Sequence, residues 1–182
     1  MEPALRYQWL IPAAGFLVTA PAAQIAYCAE YMSVADAQKG AFPDAAAFEP
    51  VVIAADVKAA IASTAGRFDV EPKVWRARDA NGALGWFIVD EVIGKQELIT
   101  YALSLDMSGA VKALDVLVYR ESHGDAIKLP AWRKQFLGKR ATDPVRLDTD
   151  IRNVSGATLS CRHVTDGIRR LLLLHERALS RG

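Results

Sequence analysis

The segment from Trp75 to Tyr119 has the alternating pattern of β-strands, and this pattern constrains the fold more than any other feature of the chain. Between residues 99 and 106, apolar side chains occupy every second position. They are Ile99, Tyr101, Leu103 and Leu105. Because successive side chains of a strand point to opposite faces, the pattern predicts a strand with one buried face and one wetter face.

Two turn signals place further strands beside this one. Asn81-Gly82 separates Trp75–Arg78 from Leu84–Ile93, and Asn-Gly supplies the positive φ that a hairpin turn requires. Met107-Ser108-Gly109 turns the chain again, so that Val111–Tyr119 returns as a more buried strand. The sequence therefore predicts an antiparallel meander.

Helical patterns flank the predicted sheet. Ser33, with Asp36 three residues later, is typical of a helix start. A second helix is predicted from Val51 to Thr64, with Gly66 as its stop. Its apolar face comprises Ile53, Val57, Ala60 and Ile61. Both helices belong to a lead-in over residues 29–70.

The last part of the chain contains two more predicted helices. Pro130 begins a short one that Gly138 ends. From Leu159 onward, apolar residues recur at helical spacing, which predicts a C-terminal amphipathic helix. The fold class is therefore α+β, an antiparallel meander sheet flanked by helices, and residues 71–182 are predicted to form its main domain.

The amino-terminal segment is uncharged from Tyr7 to Ala29 and follows Arg6. This order is typical of a secretory signal, and Ala20-Pro21-Ala22 has small residues at the spacing that a signal peptidase accepts. The stretch is also about long enough to be a membrane anchor. Residues 1–28 are thus predicted to be a signal peptide or anchor, and either alternative places the rest of the chain outside the cytoplasm, in the periplasm.

Composition argues against two classes of function. The net charge is only +1 and no basic cluster contains interspersed aromatic residues, so we expect no nucleic-acid partner. Cys28 and Cys161 are too few and too far apart for a cysteine-built zinc or iron–sulfur site. We therefore assign no metal.

One small-residue segment precedes the terminal helix: Ser155-Gly156-Ala157-Thr158. A helix start presents free backbone N–H groups that favour a phosphate, and the small side chains allow a bulky group to approach. Ser and Thr at such a place also serve as helix caps. The residues alone leave both alternatives open.

This segment resembles the flavin-attachment motif of the FMN-binding domain family, which includes subunits of sodium-pumping quinone reductases and Rnf-type complexes. In that family a separate flavin transferase uses FAD to esterify FMN to the last hydroxyl of the motif. The resemblance implies that Thr158 is the acceptor. Further landmarks follow in the family's order: Gly85–Gly94, Ile99–Asp106, Glu121 with Gly124, and Trp132–Lys139.

The resemblance implies an extracytoplasmic electron carrier with covalent FMN, which depends on a flavin transferase and a membrane-bound redox partner. It assigns no catalytic residue of its own. The implied cofactor-binding residues are Thr158, Ser155, Gly156, Ala157, Ser160, Glu121 and Gly124. For His123, Trp132 and Tyr119, flavin contact and an ordinary structural role both remain open.

One position departs from the family. An acidic residue commonly lies three positions before the motif serine, whereas this chain has Arg152 there and Asp150 two residues earlier. If the acid helps the transferase, its loss would slow or abolish attachment. The alternative function is a flavin-free extracytoplasmic binding or assembly module on the same fold.

Overall fold

The computed structural model describes residues 29–121 and 125–180. The predicted leader over residues 1–28 lies outside this part of the chain. The strands are β1 (Ala29–Glu30), β2 (Ala47–Val51), β3 (Lys73–Arg78), β4 (Ala83–Ile93), β5 (Leu98–Asp106) and β6 (Val111–Tyr119). The α-helices are α1 (Val34–Ala41), α2 (Ala55–Ala65), α3 (Pro130–Arg133) and α4 (Thr158–Leu174). One turn of π-helix, His175–Leu179, extends α4.

All six strands form one antiparallel sheet in the order β1-β6-β5-β4-β3-β2. The predicted meander is confirmed as β3 to β6, in which each strand pairs with the next along the chain. At the first hairpin, the Asp79 carboxylate accepts bonds from the backbone N–H groups of Asn81 and Gly82. The α+β class predicted from the alternating pattern is therefore correct.

The second predicted helix was wrong at its start. Residues 47–51 form the edge strand β2, and α2 begins only at Ala55. Proline disfavours helical backbone at the residue before it, so Pro50 keeps Glu49 extended. Pro50 also has no N–H to donate, which an edge strand tolerates. Phe48 adds a tertiary reason, because its ring packs edge-on against Phe87 and Phe42.

The predicted wet face of β5 is also wrong, because every residue from Ile99 to Leu105 is buried. One face of the sheet packs against α2 and α4, and the other packs under α1 through Ala37, Ala41 and Phe42. Small residues such as Ala102 let α1 approach this second face. The short side chains that indicated a wet face therefore form part of a second, smaller core.

Helix α4 crosses the sheet with its apolar side inward. At Gly167 an added Cβ would clash with the Tyr101 hydroxyl, so glycine is needed for this close approach. That hydroxyl donates to buried Asp90 on β4 over 2.5 Å. These contacts fix α4, and with it the residues at its start, against the strands.

Across the described ranges, none of the helices combines the length and the apolar character that crossing a membrane requires.

Candidate functional site

The small-residue segment forms a tight turn that leads directly into α4. The Val154 carbonyl accepts a bond from the Ala157 N–H over 3.0 Å, and Gly156 has φ of +82°. A positive φ at the third position of such a turn favours glycine. A Cβ at Gly156 would meet nothing within 4 Å, so the outer side of the turn is open.

The helix starts at Thr158, one residue before the predicted start at Leu159. The N-cap is Ala157, which makes no side-chain capping bond. The Thr158 hydroxyl therefore does not cap the helix, because Thr158 already lies within it. The first turn presents N–H groups that lack intrahelical acceptors, and the dipole adds partial positive charge there.

Thr158 is half-buried, and its Oγ1 accepts a hydrogen bond from Asn153 Nδ2 over 3.1 Å. The other end of the same amide, Asn153 Oδ1, is buried and has no hydrogen-bond partner in the described chain. The Thr158 hydroxyl is therefore held by one neighbouring side chain, whose own amide oxygen is unpaired.

The remaining predicted residues of the turn divide between two sides. Ser155 and Gly156 are exposed, whereas Ala157 and Ser160 are buried beneath the helix start. Ser160 Oγ lies 3.4 Å from the Tyr119 hydroxyl at the end of β6. Thr158, Ser155 and Gly156 can thus meet an external group, and Ala157 and Ser160 anchor the helix to the sheet.

A second layer of contacts comes from α3 and from Gln135, in the 3₁₀-helix Lys134–Phe136 that follows it. Trp132 Nε1 donates to the Arg152 carbonyl over 3.0 Å, and the Arg152 N–H donates to Gln135 Oε1 over 2.8 Å. Trp132 is buried and packs edge-on against Phe136, which favours the structural role for this ring. An open groove of about 540 Å³ runs between α3 and residues 152–154, next to the turn.

Glu121 lies two residues beyond β6 and supports the turn between β4 and β5. Its Oε1 accepts bonds from the backbone N–H groups of Gln96 and Glu97, over 2.6 and 3.0 Å. Partial burial acts to raise the pKa of Glu121, but these N–H groups outweigh it and lower the pKa below its ordinary value. His163 of α4 contacts the carbonyl of Ile93 beside the same turn. Gly124 and His123 lie outside the described residues.

We expect Glu121→Ala to lower the free energy of unfolding by about 1–3 kcal/mol, because two hydrogen bonds to a charged group are lost. Urea unfolding at neutral pH measures this change. Glu71→Ala is the control, since exposed Glu71 forms with half-buried Lys58 a surface ion pair worth less than about 1 kcal/mol. Equal stability of Glu121→Ala and wild type would contradict a supporting role for this carboxylate.

Asp150 does not stand free beside the motif. Its carboxylate accepts from Lys139 Nζ over 2.9 Å and from the backbone N–H groups of Val145 and Arg146, which closes the loop before the motif. Burial acts to raise the pKa of Asp150, and the bonds from Arg146 and Lys139 lower it further than burial raises it. Arg152, by contrast, has an exposed side chain.

Sequence reasoning missed Asn153 and Gln135. An asparagine before a turn and a glutamine in a short helix carry no distinctive sequence signal, and only the folded backbone brings them to Thr158 and Arg152. The residues present nevertheless fit a phosphate ester. Thr158 offers a half-buried hydroxyl, the space over Gly156 is open, and the first turn of α4 presents backbone N–H groups that can face a phosphate.

Comparison with known families identifies most of this region. Residues 94–173 match the family model described as FMN-binding domain, while no curated protein matches the chain. The match begins at the turn that Glu121 supports and ends within α4, so that it includes the groove beside α3 and the turn at Gly156. Residues 94–173 therefore form a member of the FMN-binding domain family.

Proposed function

We propose that this chain is an extracytoplasmic electron-transfer protein whose FMN is linked to Thr158 by a phosphodiester. The observation that carries the proposal is the position of Thr158 inside the family match, at an uncapped helix start with its hydroxyl half-buried. Ala157 and Ser160 are buried beneath this position, while Glu121 supports the β4–β5 turn within the same match. Ser155 and Gly156 keep the approach to it open.

The chain would contribute the nucleophile for attachment. Thr158 Oγ1 forms a bond to the flavin-side phosphorus of FAD, the pyrophosphate bond breaks, AMP leaves, and the hydroxyl proton passes to a base of the flavin transferase. The N–H groups of the first turn of α4 would then face the phosphodiester charge. Because Gly156 and Ser155 are exposed, the transferase can approach the backbone of the turn.

When bound, FMN supplies the redox chemistry, while the protein provides attachment, orientation and electrostatics. A covalent link prevents loss of the cofactor by diffusion, which matters outside the cytoplasm because no pool of FMN replaces it there. The helix start lies at the protein surface, which suits exchange of electrons with a membrane-bound partner. An export signal or anchor over residues 1–28 fits the same location.

The test is the intact mass of the full chain produced with and without a flavin transferase. With the transferase, we expect an added mass of FMN less one water and a fluorescent band that survives denaturation. Without it, we expect the unmodified mass. No added mass under both conditions would rule out the covalent proposal, and the same spectra would show whether residues 1–28 are removed.

A second candidate function is favoured by the contacts of Asp150. Because Lys139 and two backbone N–H groups occupy that carboxylate, it offers no free substitute for the acid that Arg152 replaces. A flavin-free binding or assembly module would then remain colourless with the transferase present. The variant Arg152→Asp separates the two candidate functions. If flavin becomes attached to the variant but not to wild type, the flavin-free role is favoured for wild type.

A further inference from the structure

Asn153 reaches across the turn to the hydroxyl that the proposed function uses. Its Nδ2 donates to Thr158 Oγ1 over 3.1 Å, and Asn153 itself is half-buried. The bond occupies one acceptor site of the Thr158 oxygen. A hydroxyl held in this way keeps one rotamer, instead of exchanging among the staggered positions open to a free side chain.

The backbone on both sides of Asn153 is fixed by hydrogen bonds. Before it, the Arg152 N–H and carbonyl bond to Gln135 and Trp132 of the α3 region. After it, the Val154 carbonyl accepts from Ala157 and closes the turn. Contacts outside the motif therefore fix the position of the Asn153 amide, and its hydrogen bond in turn fixes the Thr158 hydroxyl.

The unpaired Oδ1 gives Asn153 no second hydrogen bond by which it would stabilise the described fold. A buried polar atom without a partner costs about 1–3 kcal/mol, and an apolar side chain of similar size would avoid this cost. Costly polar groups of this kind are expected at functional positions. The one hydrogen bond that its side chain makes in the described chain goes to the Thr158 oxygen, so the role of Asn153 is to be sought there.

The bond is compatible with both states of the oxygen. Before attachment, Thr158 Oγ1 accepts from Asn153 and keeps its own proton and a lone pair for groups outside the chain. When the O–P bond forms and AMP leaves, that proton passes to a base of the transferase. The resulting ester oxygen has no proton and can only accept, which is the role that it already has toward Nδ2.

We infer that Asn153 is the positioning residue for modification of Thr158, holding the acceptor oxygen in the orientation from which it attacks the flavin-side phosphorus of FAD. This inference rests on the proposed function. It assigns Asn153 no contact with the cofactor and no proton transfer.

The test compares wild type with Asn153→Leu in single-turnover reactions of the full chain with a flavin transferase, FAD and a divalent metal. Loss of one orienting hydrogen bond should lower the maximal rate about three- to tenfold. The protein concentration at half-maximal rate should change little, because the exposed residues of the turn, Ser155 and Gly156, are unaltered. Asn81→Ala, which removes an exposed amide in the β3–β4 turn, should react at the wild-type rate.

Urea unfolding separates positioning from a structural role. Since Asn153→Leu removes an unpaired buried acceptor, its stability should equal or exceed that of wild type. A wild-type rate in Asn153→Leu overturns the inference, and so does a slower rate accompanied by lower stability. If wild type itself takes up no flavin, the proposed function fails and the inference fails with it, a result distinct from equal rates in two flavinylated proteins.

Discussion

We expect Thr158→Val to carry no covalent flavin, whereas wild type made in the same way with a flavin transferase should be fully labelled. Valine keeps the branched shape of threonine but has no oxygen to form the phosphodiester. Loss should be complete rather than partial, because no bound state can replace a missing nucleophile. In-gel fluorescence after denaturation and intact mass measure it.

The variant should remain folded. The Thr158 hydroxyl makes one side-chain hydrogen bond in the described chain, to Asn153, so its loss should cost less than about 1.5 kcal/mol. Valine also fits the first turn of a helix whose N-cap makes no side-chain bond. Unchanged far-ultraviolet circular dichroism would therefore exclude unfolding as the cause of the missing flavin.

Two matched variants isolate the oxygen. Thr158→Ser retains a hydroxyl at the same place and should still be labelled, although more slowly because serine lacks the methyl group that restricts its rotamers. Thr149→Val removes an exposed threonine hydroxyl from the preceding loop and should be labelled like wild type. A labelled Thr158→Val protein would place the attachment at another residue.

The parts of the fold that follow from local pattern were predictable. Strands β3 to β6 and the turns at Gly82 and Gly109 depend on alternation and on positive φ, both of which are visible in neighbouring residues. The strand β2 was not, because Phe48 is extended through its packing against Phe42 and Phe87. Such contacts join residues that are far apart in sequence, and no periodicity reports them.

The candidate site shows the same division. The turn at Gly156 and the helix start at Thr158 could be placed to within a residue, since they depend on small side chains before an apolar period. The partners of these residues could not. Asn153 reaches Thr158 only because Trp132 and Gln135 fix the backbone of Arg152. Glu121 supports residues 94–97 only because β6 ends beside that turn.

The buried carboxylate of Asp90 should make the stability of the protein depend on pH. Its side chain is 1% exposed, and burial raises the pKa from 3.8 to about 6, against the opposing effects of the Tyr101 hydrogen bond and the Arg170 charge. One oxygen, Oδ1, has no hydrogen-bond partner in the described chain. The folded protein therefore holds the Asp90 proton more tightly than the unfolded chain does.

The sign of the effect follows from proton binding. Between pH 4 and 6 the folded state binds more protons at Asp90 than the unfolded state, so stability falls as pH rises through this window. Below it both states are protonated, and the carboxyl incurs no charge penalty. Since one pKa unit corresponds to about 1.4 kcal/mol, the difference between 3.8 and about 6 amounts to about 3 kcal/mol by pH 7.

Asp90→Asn removes this titration but keeps an oxygen that can accept from Tyr101. The difference in unfolding free energy, variant minus wild type, should rise by up to about 3 kcal/mol from pH 4 to pH 7.5, because only wild type has to bury a charge. Urea titrations at several pH values measure it. Using the difference cancels the titration of the other groups.

Asp56→Asn, which makes the same exchange at an exposed residue in the first turn of α2, is the control for the Asp-to-Asn substitution itself. Parallel curves for Asp90→Asn and wild type would contradict a raised pKa in the folded state.

The prediction also concerns the candidate site. Tyr101 links Asp90 to the close approach at Gly167 of α4. Ionisation of Asp90 therefore lowers the stability of the fold that holds the helix whose first residue is Thr158, and hydrogen exchange above pH 6 measures how far this loss reaches α4.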